Sequence, residues 1–145
     1  MTNPTAVDTH FESRIRTSFA QQGLMQAIGA ALSKVAPGEV HIEMPFGAGL
    51  TQQHGFIHAG IVTAIVDTAC GYAANSLMPP GSEVLTVEYK VNFLAPAKGE
   101  KFVAIGKAVK SGNTLTVCAG EVWVYGNGGE KLVAVMQATM MAMRL

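Results

Sequence analysis

The feature that most constrains this sequence is one carboxylate, Asp67, at the centre of a long apolar stretch. From Ile57 to Leu77 the residues are mostly apolar or small. Asp67 is the only Asp, Glu, Lys or Arg in this stretch. The stretch has about the length of a membrane-spanning helix. A carboxylate at the bilayer centre, however, costs roughly 2.5–3.5 kcal/mol on insertion scales. We therefore predict a buried helix of a soluble protein from His58 to Asn75, with no membrane partner.

The residues before this helix show a helical pattern followed by one short strand. Large apolar residues recur every fourth position in two runs: Phe11, Ile15 and Phe19, then, after Gly23, Leu24, Ile28 and Leu32. This spacing predicts an N-terminal helical segment over residues 1–36, which the turn Pro37-Gly38 ends. Alternation of Val40, Ile42 and Met44 with polar residues then predicts a strand.

From Glu83 onward the sequence reads as strands and turns. The clearest alternation places Leu85, Val87, Tyr89, Val91 and Phe93 between Thr86, Glu88, Lys90 and Asn92. Further strands are predicted over 102–109, 115–125 and 131–143, with a hairpin turn at Gly126-Asn127-Gly128-Gly129. The order predicts an α+β fold in which a curved antiparallel sheet wraps a central helix. We expect one domain, 1–145, whose core spans 37–145.

The composition excludes several partners. Only 14% of the 145 residues are charged, which is well below the usual quarter and predicts surface hidden in an oligomer. Ten basic residues balance ten acidic ones, so no net field attracts nucleic acid or an anionic membrane. Two cysteines and the lack of a signal-peptide pattern in residues 1–12 predict a cytoplasmic protein.

Asp67 and the start of its helix are the candidate chemical groups. A carboxylate in apolar surroundings has a raised pKa unless charges or hydrogen bonds keep it ionised, and raised carboxylates serve as general bases or nucleophiles. A structural carboxylate bonded to a helix end or a partner chain fits the pattern equally well. The first N–H groups of the helix, near His58 and Ala59, lack internal partners and suit an oxyanion.

Spacing limits how these groups act together. Ala59 and Asp67 are eight residues apart, which is about 12 Å along a helix, so one carbonyl cannot touch both in the same chain. The helix face around Asp67 is formed by small residues: Gly60, Thr63, Cys70, Gly71 and Ala74. Something must approach this face closely. We therefore expect a dimer of antiparallel helices with the site at its interface.

No metal site is expected. His54 and His58 have i, i+4 spacing, but Gly55 lies between them and no carboxylate or thiolate is near in sequence. Cys70 has no sequence sign of a histidine partner, which favours a buried, inert thiol.

Three segments resemble the hotdog-fold acyl-CoA thioesterases of the phenylacetate-pathway (PaaI-like) type. They are Gln52-Gln53-His54-Gly55-Phe56-Ile57-His58-Ala59-Gly60 with Asp67-Thr68-Ala69, the strand Thr86 to Ala97, and Lys110-Ser111-Gly112-Asn113-Thr114-Leu115. The resemblance covers roughly Val40 to Met143. It implies hydrolysis of an aromatic or medium-chain acyl-CoA without a metal or redox cofactor. It also implies homodimers that pair into homotetramers.

The resemblance implies a role for each matching residue. Asp67 is the general base or nucleophile, and the backbone N–H of Ala59 polarises the thioester carbonyl. His58 shapes the loop before the helix. Gln52 holds the water or the carbonyl, and Thr86 helps to place the water.

Coenzyme A is expected to contact a second group of residues: Gly60, Lys90, Ser111, Gly112 and Asn113. One position departs from the family pattern, because the usual His-Gly-Gly is His58-Ala59-Gly60 here. A backbone donor survives this change where φ is negative. Two other functions remain open: a hotdog enoyl-CoA hydratase or dehydratase, and a non-catalytic acyl-CoA binding module.

Overall fold

The computed structural model describes residues 3–144. Its helices are α1 (Phe11–Ala20), α2 (Gly23–Ala27) and α3 (Ala59–Asn75), with a short 3₁₀ turn at Ala48–Leu50. Its strands are β1 (Ala31–Ala36), β2 (Glu39–Pro45), β3 (Ser82–Phe93), β4 (Lys101–Ser111), β5 (Leu115–Gly126) and β6 (Gly129–Arg144). The predicted central helix, the strand around Val40 and the four later strands are therefore confirmed.

The strands form one antiparallel sheet in the order β1-β2-β4-β5-β6-β3, and α3 packs on one of its faces. Two glycines let the helix lie directly on the sheet. A Cβ at Gly120 would stand 2.5 Å from Val66 Cγ2 and 3.0 Å from Cys70 Sγ, and one at Gly106 would press into the backbone of Ala69 and Cys70. This is the predicted α+β architecture.

The sheet itself covers part of the small face of α3. Cys70 and Ala74 are fully buried within this chain, whereas Thr63 and Asp67 are half-buried and Gly60 is exposed. Only the N-terminal half of the small face is thus open to a second molecule. Within residues 3–144 no helix combines the length and hydropathy needed to cross a membrane.

The prediction of a helical segment over residues 1–36 is wrong for Ala31–Ala36, which is strand β1. Gly29 ends the preceding helix with a positive φ of 72°, and Gly38, at φ 75°, forms the hairpin turn to β2. Leu32 has helical spacing in the sequence but pairs with Ile42 across this hairpin. The folded core therefore begins at residue 31 rather than 37, while α1 and α2 confirm the helical prediction before it.

Helix α1 is fixed to the C-terminal end of α3. Arg14 donates hydrogen bonds to the carbonyl oxygens of Asn75 (2.8 Å) and Pro79 (2.9 Å), and it pairs with Asp8 at 3.0 Å. Asn75 is the last residue of α3, where backbone acceptors lack internal donors, and Pro79 lies in the turn that follows. Ile15, one position further along α1, is fully buried. The side chains of α1 that face α3 are thus held in fixed positions.

Strand β3 contains a bulge at Val87. Thr86 pairs with Met140 and Glu88 pairs with Thr139, so Val87 has no partner of its own on β6. Because successive side chains alternate between faces, an unbroken strand would place Thr86 and Glu88 on the same face. The bulge instead turns Thr86 toward α3, on the side where Met140 is buried.

Candidate active site

Asp67 lies half-buried near the middle of α3 and faces strand β3. Thr86 Oγ1 donates a hydrogen bond to Asp67 Oδ1 at 2.8 Å. Burial raises the pKa of Asp67 above the ordinary carboxyl value, and the Thr86 hydrogen bond opposes this shift by stabilising the charged form. None of the ion pairs within residues 3–144 includes Asp67. A carboxylate in such surroundings is a stronger base than one in water.

A groove of about 300 Å³ opens beside Asp67. Helix α1, the residue that precedes α2, helix α3 and strand β3 form its walls, through residues Ser18, Gln22, Thr68, Gly71, Tyr72, Glu83, Val84, Leu85 and Thr86. Tyr72 connects two of these elements, because its hydroxyl accepts a hydrogen bond from Gln22 Nε2 (2.8 Å) and lies 3.0 Å from Ser18 Oγ. We name Ser18, Gln22 and Tyr72 the polar wall.

The start of α3 leaves one backbone N–H group available. His58 caps the helix: its Nδ1 accepts from the N–H of Gly60 (2.8 Å), and its carbonyl accepts from Ile61 (2.9 Å) and Val62 (3.2 Å). Among the hydrogen bonds of the described residues, the Ala59 N–H has no acceptor. This first-turn N–H, at the positive end of the helix dipole, suits a developing negative charge.

The backbone at Ala59 and Gly60 explains the residue types found there. In the described part of the chain, the only non-glycine residue with positive φ is Asn127, so Ala59 has negative φ and its methyl group costs no strain. A Cβ at Gly60, in contrast, would stand 3.0 Å from His58 Nδ1. Glycine at position 60 thus permits the His58 cap, and alanine at position 59 keeps the donor.

Gln52 lies in a tight loop before the helix. Its Oε1 accepts hydrogen bonds from the N–H groups of His54 (2.5 Å) and Phe56 (3.3 Å). Gln52 and Ala59 line a second cavity, of about 410 Å³. The rest of its lining is apolar: Phe56, Ile57, Val62, Phe93, Leu94, Ala95, Pro96, Ala97 and Val133.

The two cavities have no lining residue in common. One contains the candidate base and Thr86, and the other contains the candidate oxyanion donor and Gln52. Ala59 and Asp67 are eight positions apart within the continuous helix α3, so the donor and the base are about 12 Å apart along its axis. Within one chain the candidate donor and the candidate base therefore lie in two separate cavities, which we call the two half-sites.

The residues expected to contact coenzyme A lie away from Asp67 in this chain. Lys90 is on the outer face of the sheet, in a groove of about 360 Å³ that Glu88 also lines. Ser111 lines a groove together with N-terminal residues that include Pro4 and Val7. The N–H of Gly112 donates to the Leu115 carbonyl oxygen within the β4–β5 turn. Asn113 is exposed in that turn. Their roles stay predictions.

The polar wall was missed by sequence reasoning. The four-residue spacing of Phe11, Ile15 and Phe19 predicts the apolar face of α1 and gives no indication of a polar contact between α1 and Tyr72. Ser18 and Gln22 themselves have i, i+4 spacing and flank Phe19, whose ring centroid lies 6.1 Å from that of Tyr72. That polar pair beside an apolar stripe is the signal that predicts a second, hydrogen-bonding contact with α3.

The cysteines and histidines show structural roles. Cys70 and Cys118 are fully buried, and burial raises the pKa of Cys118 to about 12. Cys118 Sγ donates to the carbonyl oxygen of Cys70 at 3.4 Å. His58 uses its Nδ1 for the helix cap. No three His, Cys, Asp or Glu side chains within residues 3–144 gather as a metal site would require.

Comparison with known proteins agrees with this geometry. The sequence profile of the thioesterase superfamily matches residues 54–130. A thioesterase family protein from Silicibacter pomeroyi is 48% identical, with a TM-score of 0.92 over 93% of this chain and 99% of that one. The PaaI protein of the E. coli phenylacetic acid degradation operon is 19% identical, with a TM-score of 0.84 over 95% and 96% of the two chains, and shows the shared fold. A presumptive esterase of Halobacterium salinarum is 30% identical over 108 residues, which are 71% of either chain.

Proposed function

Because this chain belongs to the thioesterase superfamily and has the hotdog fold, we propose that it hydrolyses an acyl-CoA to a free acid and coenzyme A. The observation that carries the proposal is the pair of half-sites on helix α3. Asp67 is a half-buried carboxylate whose pKa is raised, and Ala59 offers a free N–H at the helix start. A base and an oxyanion donor are the two groups that acyl transfer to water needs.

The chemistry follows from these two groups. Ionised Asp67 takes a proton from a water molecule, whose oxygen attacks the thioester carbonyl carbon. The Ala59 N–H of a second copy stabilises the resulting oxyanion. The carbon–sulfur bond then breaks, and the departing thiolate of coenzyme A takes the proton from Asp67. In the nucleophilic variant of this route, Asp67 itself attacks and water cleaves the resulting anhydride.

Gln52 and Thr86 assist from opposite half-sites. Gln52 lines the cavity that also contains Ala59, where its amide holds the water or the thioester carbonyl. Thr86 bonds to Asp67 and orients its carboxylate toward the water. Since water, one carboxylate and one backbone donor suffice, the reaction needs no metal or redox cofactor. Activity in the presence of a strong metal chelator is the expected result.

A homodimer completes the site, and strand β3 supports its formation. β3 is an edge strand that pairs only with β6, and an unpaired edge is a template for a second chain. Tyr89 and Phe93 pair with inward-facing residues of β6, yet they are 44% and 48% exposed. A second copy at this edge covers these apolar side chains and brings its Ala59 to Asp67. Pairing of dimers into tetramers would bury further surface, which accounts for the low proportion of charged residues. The expected location of the protein is the cytoplasm.

The first test is the release of coenzyme A, followed with a thiol reagent. The panel contains phenylacetyl-, benzoyl-, hexanoyl- and palmitoyl-CoA, and the wild type is compared with Asp67→Asn. We expect turnover of an aromatic or medium-chain member, and a fall of about 10²- to 10⁴-fold in the variant, which is the usual contribution of a general base. The amide of asparagine retains an acceptor for Thr86, so the fold remains intact.

Other outcomes identify the other functions. Tight binding of acyl-CoA without turnover would indicate a binding module. A change in enoyl absorbance without release of coenzyme A would indicate a hydratase. Loss of folding or assembly in Asp67→Asn would show that this carboxylate is structural and would remove the basis of the catalytic assignment.

Complementation tests whether the two half-sites come from different chains. Asp67→Asn and Ala59→Pro homodimers are both expected to be inactive. A mixed dimer contains one intact site, formed by Asp67 of one chain and Ala59 of the other. Random exchange between the two inactive variants should restore about a quarter of the wild-type rate, because half of the symmetric dimers become mixed and each has one of two sites. No recovery after verified exchange would show that both groups act within one chain.

A further inference from the structure

We propose that Gln22, together with Ser18 and Tyr72, determines substrate specificity by binding a neutral hydroxyl-type group at the far end of the acyl chain. This inference rests on the proposed thioesterase function and concerns the groove beside Asp67. It assigns the polar wall, rather than the apolar cavity near Ala59, to recognition of the acyl terminus.

The polar wall has hydrogen-bonding capacity that this chain does not use. Gln22 Nε2 donates to the Tyr72 hydroxyl (2.8 Å), and one of the Tyr72 and Ser18 hydroxyls donates to the other across 3.0 Å. The hydroxyl that accepts in that pair keeps its own proton available as a donor. The side-chain carbonyl oxygen of Gln22 accepts no hydrogen bond within residues 3–144 and is available as an acceptor. A ligand hydroxyl both accepts and donates, so it satisfies both remaining groups.

The charges around the groove select a neutral group. Two carboxylates, Asp67 and Glu83, line it, and within residues 3–144 no Lys or Arg does. Arg14 lies in the adjoining groove and is already paired with Asp8 at 3.0 Å. An acyl chain that ends in a carboxylate would meet like charges there without a compensating cation. A neutral hydroxyl avoids this repulsion and keeps the hydrogen bonds.

Gly71 shows that the groove is kept open. Glycine in a helix interior is unfavourable relative to alanine, because it loses more conformational freedom on folding. The space beside Gly71 is unfilled by this chain: a Cβ there would have only Val84 Cγ1 within 4 Å, at 3.9 Å. Gly71 lies one helical turn beyond Asp67 and lines the same groove. Gly71 therefore adds unfilled space to the groove that the base and the polar wall both line.

The length of the groove sets the length of the acyl chain. Tyr72 is five residues beyond Asp67 on α3, or about 7.5 Å along the axis. An extended six-carbon acyl chain spans a comparable distance from its carbonyl to a terminal hydroxyl. The wall stands at a fixed position because Arg14 holds α1 to the end of α3.

The test compares three six-carbon substrates: hexanoyl-CoA, 6-hydroxyhexanoyl-CoA and adipoyl-CoA. Release of coenzyme A is measured as kcat/KM for the wild type, Gln22→Leu and Gln21→Leu. Gln21 is the matched control, since it is the neighbouring exposed glutamine and does not line the groove. The wild type should prefer the hydroxyl over hexanoyl by roughly three- to tenfold, the value of one neutral hydrogen bond. Adipoyl-CoA should react more slowly than 6-hydroxyhexanoyl-CoA.

Gln22→Leu should abolish this preference, and Gln21→Leu should retain it. Tyr72→Phe, which keeps the ring beside Phe19 and removes only the hydroxyl, should also abolish it and serves where Gln22→Leu does not fold. An equal preference for the hydroxyl substrate in the wild type, Gln22→Leu and Tyr72→Phe overturns the specificity assignment. In that case, loss of turnover in Asp67→Asn still upholds the proposed function. A preference for adipoyl-CoA overturns the selection of a neutral group. No hydrolysis of any acyl-CoA overturns both proposals.

Discussion

Gly71→Ala is expected to make the protein more stable and less active. Alanine is favoured over glycine in a helix interior by about 0.8–1.0 kcal/mol. The new methyl group meets only Val84 Cγ1, at 3.9 Å, which is an ordinary van der Waals contact. The free energy of unfolding should therefore rise by roughly 0.5–1 kcal/mol, and Tm by roughly 2–4 °C for a chain of this size.

The loss of activity has a separate cause. The same methyl group occupies the groove that Asp67 and the polar wall both line. One methylene in a substrate pocket is worth about 1–3 kcal/mol of discrimination, so kcat/KM for hexanoyl-CoA should fall by about tenfold or more. Thermal unfolding and release of coenzyme A are measured on the same preparation.

Gly120→Ala is the matched control. There, the added Cβ would stand 2.5 Å from Val66 Cγ2 and 3.0 Å from Cys70 Sγ, so α3 must shift from the sheet. Overpacking of this kind costs roughly 1–3 kcal/mol, which is a change of opposite sign. If Gly71→Ala also destabilised the protein, or left kcat/KM unchanged, the space beside Gly71 would not be the acyl groove.

Four further variants test the base and the donor. Ala59→Pro removes the N–H at the first helical position, where proline is tolerated, so kcat should fall by about 10²- to 10³-fold with little change in Tm, whereas Ala59→Gly should remain active. Thr86→Val removes the hydrogen bond that lowers the pKa of Asp67, so the acidic limb of the kcat/KM profile should move to higher pH. Because burial raises the pKa of Asp67, the folded protein holds the proton of this carboxyl group more tightly than the unfolded chain does. The stabilisation that this proton provides is complete below the pKa of Asp67 in the unfolded chain and is lost as the pH rises through its pKa in the folded protein. Asp67→Asn should therefore be at least as stable as the wild type at neutral pH, and urea titrations should show a smaller decline of its stability above the ordinary carboxyl pKa.

The parts of the fold that the sequence predicted are those that local rules determine. The range of α3 follows from the apolar run and from the His58 cap, and the turn at Gly126 to Gly129 has the expected left-handed backbone at Asn127 and Gly128 (φ 51° and 76°). At the start of α3 the prediction of free N–H groups holds for Ala59 alone, because the His58 N–H donates to the Leu50 carbonyl oxygen (2.9 Å) and the Gly60 N–H donates to His58 Nδ1 (2.8 Å). Each of these features depends on residues within a few positions of one another.

Strand β1 was mispredicted because spacing alone is ambiguous. Leu32 follows Ile28 by four residues, as a helix requires, but Gly29 ends the helix between them. The register of the hairpin, in which Leu32 faces Ile42, depends on the turn at Gly38. A glycine within an apolar repeat was therefore a stronger signal than the repeat itself.

The position of Thr86 depends on a feature that a count of alternating residues does not reveal. By alternation Thr86 belongs with Glu88 on the outer face of β3, away from α3. The bulge at Val87 inserts one residue and reverses the facing of everything before it. Bulges are frequent beside active sites, where they re-aim a side chain. Here the reversal is what allows the Thr86 hydroxyl to reach Asp67.

The same helix carries both halves of the proposed chemistry, and for this reason the proposed mechanism requires a second copy of the chain. A carbonyl must lie within about 3 Å of its oxyanion donors, whereas Ala59 and Asp67 are about 12 Å apart along α3. A two-fold axis that sets two α3 helices antiparallel places each Asp67 beside the Ala59 of the other chain and forms two equal sites. The open N-terminal half of the small face and the uncovered side chains of β3 lie where such a partner must approach. In the proposed dimer, assembly and catalysis are the same geometric event, because a single chain does not bring Ala59 and Asp67 to one carbonyl.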